Sequence, residues 1–189
     1  MLAIDLRREL EERGAIQSGH FRLSSGRHSD RFIQKFRILE DPSIVEPIAR
    51  SIADAFRESR PTLVVSAAVG GIILGYEVAR ALGTKAVFVE KIDGAPELRR
   101  AFRIGPRDRV LVVEDVITTG GSIREVFKVM RDAGAAIAGV GAIVRRAPAD
   151  FGVPTHVLLE MPIVSYDAGE CPQCVAGEPL TDPGSRRAG

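Results

Sequence analysis

The chain has 189 residues, of which 45% are hydrophobic, so it is long enough for one domain with a core of its own. Its 26 basic and 25 acidic residues nearly cancel, which argues against a nucleic-acid partner. No apolar stretch approaches the roughly 18 residues of a membrane span, and the charged N-terminus does not resemble a signal peptide. A cytoplasmic protein without a membrane partner is therefore expected.

The first third of the chain predicts two helices on either side of short extended segments. In chain order, the predicted elements are a helix at 2–13, extended segments at 21–23 and 31–38, and a helix from 42 to about 58. Gly14 suits the end of the first helix. Asp41 and Pro42 suit the N-cap and first position of the second, inside which Pro47 marks either the true start or a kink. A turn-rich segment, 24–30, separates the extended segments.

From residue 63 onward, predicted strands and helices alternate. The predicted strands are 63–67, 85–90, 110–114, 138–144 and 156–160, and the predicted helices are 72–82 and 123–133. Gly83 and Gly134 follow these helices, as helix-ending glycines do. Alternation of this kind implies an α/β fold with an open, mostly parallel sheet flanked by helices. Residues 1–165 are assigned to this domain, and the Gly-, Pro- and charge-rich residues 166–189 to a C-terminal tail.

Residues 112–123, with the sequence VVEDVITTGGSI, are the most informative segment. A continuous apolar strand is predicted to stop at Glu114 and Asp115. A turn of hydroxyl side chains and glycines (118–122) then leads into a helix, whose positive dipole end is aimed at the turn. Carboxylates next to such a turn suit a sugar phosphate. The alternative is an ordinary strand–turn–helix connection in which Ser122 is the N-cap.

This segment resembles the phosphoribosyl pyrophosphate (PRPP) signature of the type I phosphoribosyltransferases, in which two acidic residues precede a T-x-G-G/T-S/T turn. The resemblance implies that Glu114 and Asp115 hold the ribose hydroxyls and serve catalysis. It also implies the fold of that family, with a small hood over the carboxyl ends of the strands, and Mg²⁺ held mainly by the substrate. The residues implied to bind the 5-phosphate are Thr118, Thr119, Gly120, Gly121 and Ser122.

Two further loops are expected at the carboxyl edge of the sheet, where ligands of such folds bind. Gly70 and Gly71 follow a buried strand, and their backbone N–H groups could approach pyrophosphate; a tight turn that requires glycine is the alternative. Lys91 follows another strand and is a candidate catalytic cation. In the loop predicted after it, Arg99 and Arg100 could bind pyrophosphate and close over the site as a lid, the alternative being a solvated surface loop.

Residues 19–30, GHFRLSSGRHSD, resemble the G-x-F-x-L-x-S-G-x-x-S signature of the orotate phosphoribosyltransferase family. This similarity implies a hood over the pyrimidine, built from about 15–40 together with a C-terminal part. Residues 141–146, GAIVRR, match the strand whose last arginine meets the orotate carboxylate, a group that a forked guanidinium recognises well. The residues implied to bind orotate are Thr118, Arg146, Ser25 and Phe32.

The chain departs from that family's pattern at several basic positions. Ser24 and Gly70 stand where lysines are usual, the predicted catalytic loop holds only arginines, and Arg145 replaces an acidic residue. The implied activity remains the transfer of phosphoribose from PRPP to orotate in pyrimidine biosynthesis, by a homodimer with shared active sites. The alternatives are a purine or other nucleobase phosphoribosyltransferase and a PRPP-sensing regulator.

Cys171 and Cys174 form a C-x-x-C pair near the C-terminus. A structural zinc site needs four ligands, and the sequence has no second cysteine pair. Two ordinary thiols are therefore expected. The alternative is a zinc site completed by the tail of a second subunit or by a histidine. His28 could face the substrate, although a surface position is expected for it.

Overall fold

The computed structural model describes residues 4–23 and 25–183. The described helices are α1 (Leu6–Glu12), α2 (Phe36–Leu39), α3 (Pro42–Phe56), α4 (Gly71–Leu82), α5 (Gly121–Asp132) and α6 (Pro172–Val175). The described strands are β1 (Ile16–Arg22), β2 (His28–Ile33), β3 (Leu63–Ala67), β4 (Lys85–Ile92), β5 (Ala95–Leu98), β6 (Arg109–Ile117), β7 (Ala136–Arg145) and β8 (Thr155–Glu160). Ser24 lies outside the described residues, as do the first two residues of the predicted N-terminal helix.

A six-stranded sheet with the order β5-β4-β3-β6-β7-β8 forms the centre of the fold. Every neighbouring pair is parallel except β4–β5. Leu111 and Val113 of β6 pack in the hydrophobic core that includes α3 and α4, whereas Val110 and Val112 pack in the core that includes α5. The apolar run of β6 is continuous because helices cover both faces of the sheet. The predicted open, mostly parallel sheet is confirmed.

Strand β6 is longer than predicted. Val116 and Ile117 pair with Val144 and Arg145 of β7, so the strand continues past the carboxylates instead of ending at Glu114. The prediction failed because polar residues were taken as the end of the strand, while the neighbouring strand still supplies backbone partners there. As a result, the two carboxylates lie within the sheet instead of in a solvated loop.

The segment predicted as an open loop, residues 92–100, contains the turn and second strand of a hairpin. β4 extends to Ile92 and pairs antiparallel with β5. Asp93 and Gly94 have φ of 48° and 84°, and Asp-Gly is a favoured sequence for two-residue hairpin turns of this kind. The sequence therefore carried a hairpin signal, but the four residues of β5 (APEL) have too little apolar alternation to reveal a strand.

The N-terminal part forms a separate antiparallel hairpin of β1 and β2. β1 begins at Ile16, before the predicted extended segment, and β2 begins at His28, inside the predicted turn. Residues 36–38, predicted as extended, lie in α2, in which Ile38 and Leu39 are buried. A short apolar run of this kind fits a helical turn as well as a strand, so periodicity could not distinguish them.

The helix α3 has the predicted N-cap at Asp41, but it is not interrupted at Pro47 as predicted. Asp41 Oδ1 accepts a hydrogen bond from the backbone N of Ser43 at 2.9 Å, and Pro42 occupies the first helical position. The helix passes through Pro47 to Phe56 as one element, because its apolar face stays buried against the sheet. No described helix is long and apolar enough to span a membrane.

Candidate active site

The two carboxylates of β6 are almost completely buried at the carboxyl edge of the sheet. Glu114 is 8% exposed and Asp115 only 2%. Asp115 Oδ1 accepts a hydrogen bond from the backbone N of Val116 at 2.6 Å, and Glu114 Oε1 accepts one from the backbone N of Asp115 at 3.3 Å. Buried carboxylates are costly unless charge or further hydrogen bonds compensate them, so this edge of the sheet is prepared for a polar ligand.

Lys35 provides the charge that compensates Asp115. Its Nζ lies 2.8 Å from Asp115 Oδ2, and its side chain is 35% exposed. The sequence analysis did not identify this residue, because it lies outside the matched motifs and directly before α2. The signal that could have found it is a lone lysine within a largely apolar run, FIQKF.

Among the described residues, Glu114 has no ion-pair partner, and its pKa is raised. Burial, together with the neighbouring charge of Asp115, raises the pKa of Glu114 to about 8, while Lys35 lowers it only in part. The raised pKa favours the protonated form of Glu114. In that state it can donate one hydrogen bond and accept others, which suits a partner rich in hydroxyl groups.

The turn after β6 has the shape of an anion-binding helix start. Gly120 has φ of 78° and is followed directly by α5, whose first turn has no side-chain cap. Ser122 lies inside that first turn, so the expectation that it is the N-cap is wrong; Gly120 holds that position. A Cβ at Gly120 would lie 2.7 Å from the Phe151 ring and 2.8 Å from Arg124 Nη1, so only glycine fits here.

A small open pocket connects this turn with Glu114. Its lining residues are Glu114, Val116, Ile117, Thr118, Gly120, Gly121, Ser122 and Ile123. Thr118, Thr119 and Ser122 are exposed, so their hydroxyls are accessible from solvent. The pocket therefore places a buried acid beside uncapped backbone N–H groups at a helix N-terminus, where an anion is stabilised.

The loop between β3 and α4 lies against the same carboxylates. A Cβ at Gly70 would clash with both Oδ2 of Asp115 and Nζ of Lys35. At Gly71 a Cβ would lie 2.9 Å from the Cβ of Ser66. The absence of side chains thus lets the loop backbone approach the acidic site closely, as a loop that binds an anion through N–H groups must.

The basic residues predicted to bind pyrophosphate, on and directly after the β4–β5 hairpin, contact other acidic residues or solvent instead of the carboxylates of β6. Lys91 Nζ lies 2.7 Å from Oε1 of Glu125 on α5. Arg100 donates two hydrogen bonds to Glu90, at 3.0 and 2.9 Å, and this pairing lowers the pKa of the Glu90 carboxyl. Arg99 is exposed. Among the described residues, none of the three basic side chains is hydrogen-bonded or ion-paired to the carboxylates of β6.

Arg146, directly after β7, has a buried guanidinium edge. Its Nε is buried and has no hydrogen-bond partner among the described residues, and burial lowers the pKa of Arg146. Its backbone N donates to the carbonyl of Ile117 at 2.8 Å, which holds it beside the end of β6. Arg145, in contrast, donates two hydrogen bonds to Glu160 of β8, at 2.7 and 3.0 Å. Of these two arginines, Arg146 is the one whose buried Nε has no partner among the described residues and is free to bind a planar anion.

Two predicted base-binding residues belong to the β1–β2 hairpin or its turn. The ring of Phe32 is partly buried, with its centroid 5.8 Å from that of Phe21. Ser25 is exposed, and its Oγ accepts a hydrogen bond from the backbone N of Arg27 at 3.4 Å. The expectation of a surface position for His28 is wrong: it is only 5% exposed, because the C-terminal segment pairs with the outer edge of β2.

Comparison with known proteins identifies relatives of this fold and sequence. Residues 36–156 match the family described as phosphoribosyl transferase domain. The orotate phosphoribosyltransferase of Pelotomaculum thermopropionicum is 48% identical over 179 residues, which cover 94% of each chain. That of Thermotoga maritima is 42% identical over 94% of this chain and 96% of the relative.

Solved structures agree with these sequence relatives. A crystal structure of orotate phosphoribosyltransferase from Aeropyrum pernix aligns with a TM-score of 0.69 at 28% identity, over 82% of this chain and 93% of that one. An adenine phosphoribosyltransferase from Thermoanaerobacter pseudethanolicus aligns with a TM-score of 0.62 at 19% identity, over 69% and 88% of the two chains, and so shares the fold alone.

Proposed function

Since this chain belongs to the type I phosphoribosyltransferase family, on its orotate phosphoribosyltransferase branch, we propose that it transfers the 5-phosphoribosyl group of PRPP to orotate. The bond from C1 of the ribose to the pyrophosphate oxygen breaks, and its electron pair leaves with the pyrophosphate. A bond from C1 to N1 of orotate forms as N1 gives up its proton, which the pyrophosphate can accept. The products are pyrophosphate and orotidine 5-phosphate, on the route to UMP. The observation that carries this proposal is the pocket that joins buried Glu114 of β6 to the uncapped N-terminus of α5.

The proposed position of PRPP follows from the chemistry of that pocket. Glu114 and Asp115 face the ribose hydroxyls, because carboxyl groups accept their hydrogen bonds at a buried position. The negative charge of Asp115 then stabilises the positive charge that develops on the ribose as the C1–O bond breaks. The 5-phosphate binds at the N-terminus of α5, through Thr118, Thr119, Gly120, Gly121 and Ser122.

The pyrophosphate is proposed to lie between the backbone of the loop at Gly70 and Gly71 and the ammonium group of Lys35. A side chain at position 70 would overlap the Nζ of Lys35, so Lys35 occupies the space that a lysine at position 70 would otherwise use. A cation there balances charge that accumulates on the leaving pyrophosphate. Lys35 thus takes a role for which the sequence analysis considered only Lys91, Arg99 and Arg100.

Mg²⁺ is the proposed cofactor, held mainly by oxygen atoms of PRPP. The residues present fit a hard cation, since Glu114 lines the pocket and the adjacent Asp115 offers further carboxyl oxygens. When bound, Mg²⁺ would neutralise charge on the pyrophosphate.

Orotate is favoured over a purine by the unused donor of Arg146. Orotate carries a carboxylate, which a guanidinium can bind with two parallel hydrogen bonds, whereas a purine offers no such group. A buried guanidinium edge without a partner is unfavourable and is relieved by this contact. Thr118, Ser25 and Phe32 are proposed to complete the base site, with the β1–β2 hairpin as its hood.

We propose a homodimer with shared active sites. Val69, Ile73 and Tyr76 are 72%, 42% and 64% exposed, and they lie along one side of α4 and the loop before it. Large apolar side chains adjacent to a site are commonly covered by a partner. Lys91, Arg99 and Arg100 lie on the sheet-edge hairpin, from which they are proposed to reach pyrophosphate in the assembled dimer.

The decisive experiment measures pyrophosphate release with Mg-PRPP and with orotate, adenine, xanthine or uracil offered in turn. Turnover with orotate alone is expected, and Arg146→Gln is expected to remove it. Arg145→Gln is the matched control, because Arg145 is paired with Glu160 and should leave orotate turnover nearly unchanged. Turnover with adenine and none with orotate would refute the proposed base specificity, and failure to bind PRPP would refute the proposed site.

A further inference from the structure

Four potential metal ligands from distant parts of the chain meet behind the β1–β2 hairpin. His20 lies on β1 and His28 on β2, while Cys171 precedes α6 and Cys174 lies within it. One donor atom from each residue falls within a cluster in which all four atoms lie within 4.8 Å of one another. His20, His28 and Cys171 are buried, so three of these four groups are removed from water.

The distances between donor atoms are those expected around a tetrahedral zinc ion. His20 Nε2 lies 3.0 Å from His28 Nδ1, and Cys174 Sγ lies 3.2 Å from the same Nδ1. The Sγ atoms of Cys171 and Cys174 lie 3.5 and 3.6 Å from His20 Nε2. Zinc bonds of about 2.0 Å to nitrogen and 2.3 Å to sulfur imply ligand separations of roughly 3.3 to 3.8 Å. The four distances given lie within this range or a few tenths of an ångström below it.

The tautomer of His20 points to a metal ligand. Its Nδ1 lies 2.9 Å from the carbonyl oxygen of Glu178, and because a carbonyl only accepts, Nδ1 carries the proton. Nε2 is then unprotonated in the neutral ring and faces His28 and both cysteines. A carbonyl partner on the far nitrogen is how metal-binding histidines are commonly oriented.

We propose that His20, His28, Cys171 and Cys174 bind one structural zinc ion per chain. Two thiolates neutralise the charge of Zn²⁺, and the four protein ligands leave no position for a substrate, as in structural zinc sites. Sulfur and imidazole ligands in this arrangement favour zinc over the hard cation proposed for PRPP. Two histidines of the same chain thus complete a site that the sequence analysis expected to be two ordinary thiols.

The proposed ion fastens the C-terminal segment to the hood. An isolated two-stranded hairpin is marginally stable in water, and backbone pairing from the C-terminal segment extends this one on both sides. The N of Thr181 donates to the carbonyl of His20 at 2.8 Å, and His28 and Tyr166 exchange two hydrogen bonds of 2.8 Å. Zinc would cross-link these elements by metal bonds next to the backbone pairing.

The test measures zinc in the full-length protein purified without chelator. One equivalent per chain is expected in the wild type, and none in Cys174→Ser or His28→Gln. His156→Gln is the matched control, because His156 is the remaining histidine of the sequence and lies on β8, outside the cluster. It should retain the full equivalent.

Cobalt substitution tests the proposed metal site in the wild-type protein, without any variant. Replacing zinc by Co²⁺ in the wild type should produce the visible absorption of tetrahedral cobalt with thiolate ligands, and chelation should abolish it and lower the unfolding temperature. Clearly less than one equivalent of metal after incubation with Zn²⁺, or a Cys171–Cys174 disulfide in the isolated protein, would overturn the proposal. Because these readings need no turnover, they are independent of the proposed activity.

Discussion

Glu114 and Asp115 are neighbours in β6, yet the charges around their carboxyl groups differ. Asp115 has the ammonium of Lys35 at 2.8 Å, whereas burial leaves Glu114 with a pKa raised to about 8. A ligand that brings hydroxyl groups and a metal cation would favour loss of that proton. The difference therefore has consequences both for folding and for binding.

The first prediction concerns the pH dependence of stability. The pKa of Glu114 is higher in the folded chain than its ordinary value of 4.5. The folded state then keeps a proton that the unfolded state has lost, so the free energy of unfolding falls as pH rises from about 4.5 to about 8. Glu114→Gln should remove on the order of 2 to 4 kcal/mol of this fall.

Urea unfolding over a pH series that spans this window measures the effect. Glu97→Gln is the control, since Glu97 is an exposed glutamate on β5. Parallel pH profiles for the wild type and Glu114→Gln would show that Glu114 titrates normally in the folded chain.

The second prediction concerns Lys35. Lys35→Met leaves the buried carboxylate of Asp115 without its partner and removes a cation from the proposed pyrophosphate site. The value of kcat/KM for PRPP should fall by about 10²- to 10³-fold, as expected for the loss of one electrostatic contact in a catalytic site.

Arg37→Met on the neighbouring α2 is the control, because Arg37 is exposed and its ion pair is with the exposed Glu40. The same measurement on Lys91→Met shows which of the two lysines contributes to catalysis. Steady-state kinetics in which Lys35→Met matches the wild type would remove Lys35 from the site.

At the scale of the elements, the turn between β6 and α5 depends on one glycine for two reasons. Gly120 requires left-handed backbone, and its missing side chain makes room for Phe151 and Arg124. Gly152 also has a positive φ, of 66°, but a Cβ there would meet no atom within 4 Å. Substitution of Gly152 should therefore cost only backbone strain, whereas substitution of Gly120 should cost backbone strain and steric overlap.

The third prediction compares these two positions. Gly152→Ala should lower the free energy of unfolding by about 1 kcal/mol, the cost of left-handed backbone for a residue with a side chain. Gly120→Ala should lower it by about 2 to 4 kcal/mol, because overpacking adds to the strain. It should also weaken PRPP binding measured by calorimetry. Equal effects of both substitutions on unfolding and on PRPP binding would contradict this explanation of Gly120.

Elements with long apolar runs were predicted from the sequence more accurately than short elements. β3 was predicted with its observed bounds and α4 to within one residue, because long apolar runs ended by glycine are strong local signals. β5 and α2 were missed. Each has four residues, and each is stabilised by neighbours that the local sequence does not reveal.

At the scale of the whole molecule, the apolar side of α4 leads to the fourth prediction. Tyr76→Glu places a charge among Val69 and Ile73 and should convert the proposed dimer into a monomer, as measured by sedimentation at assay concentration. Lys85→Glu, at an exposed position at the start of β4, should leave the dimer intact. A wild-type chain that sediments as a monomer would refute the dimer.

The sequence by itself determined the α/β class and the order of the central elements. It also identified the acidic pair with the turn after it as the candidate site, and the resemblance of Arg146 to an orotate contact. These features are local: a buried parallel strand, a glycine-containing turn and a helix start are each encoded within a few adjacent residues. They can therefore be predicted without knowledge of the rest of the fold.

Only the tertiary structure decided what lies opposite those residues. Lys35 reaches Asp115 across 80 residues of chain, and His20 meets Cys171 across 151 residues. The burial that raises the pKa of Glu114 likewise depends on strands and helices that are distant in sequence. Contacts of this kind arise from how the elements pack, so no local sequence pattern predicts them. They set the charge and the pKa values around the acidic pair, which the motif alone does not give.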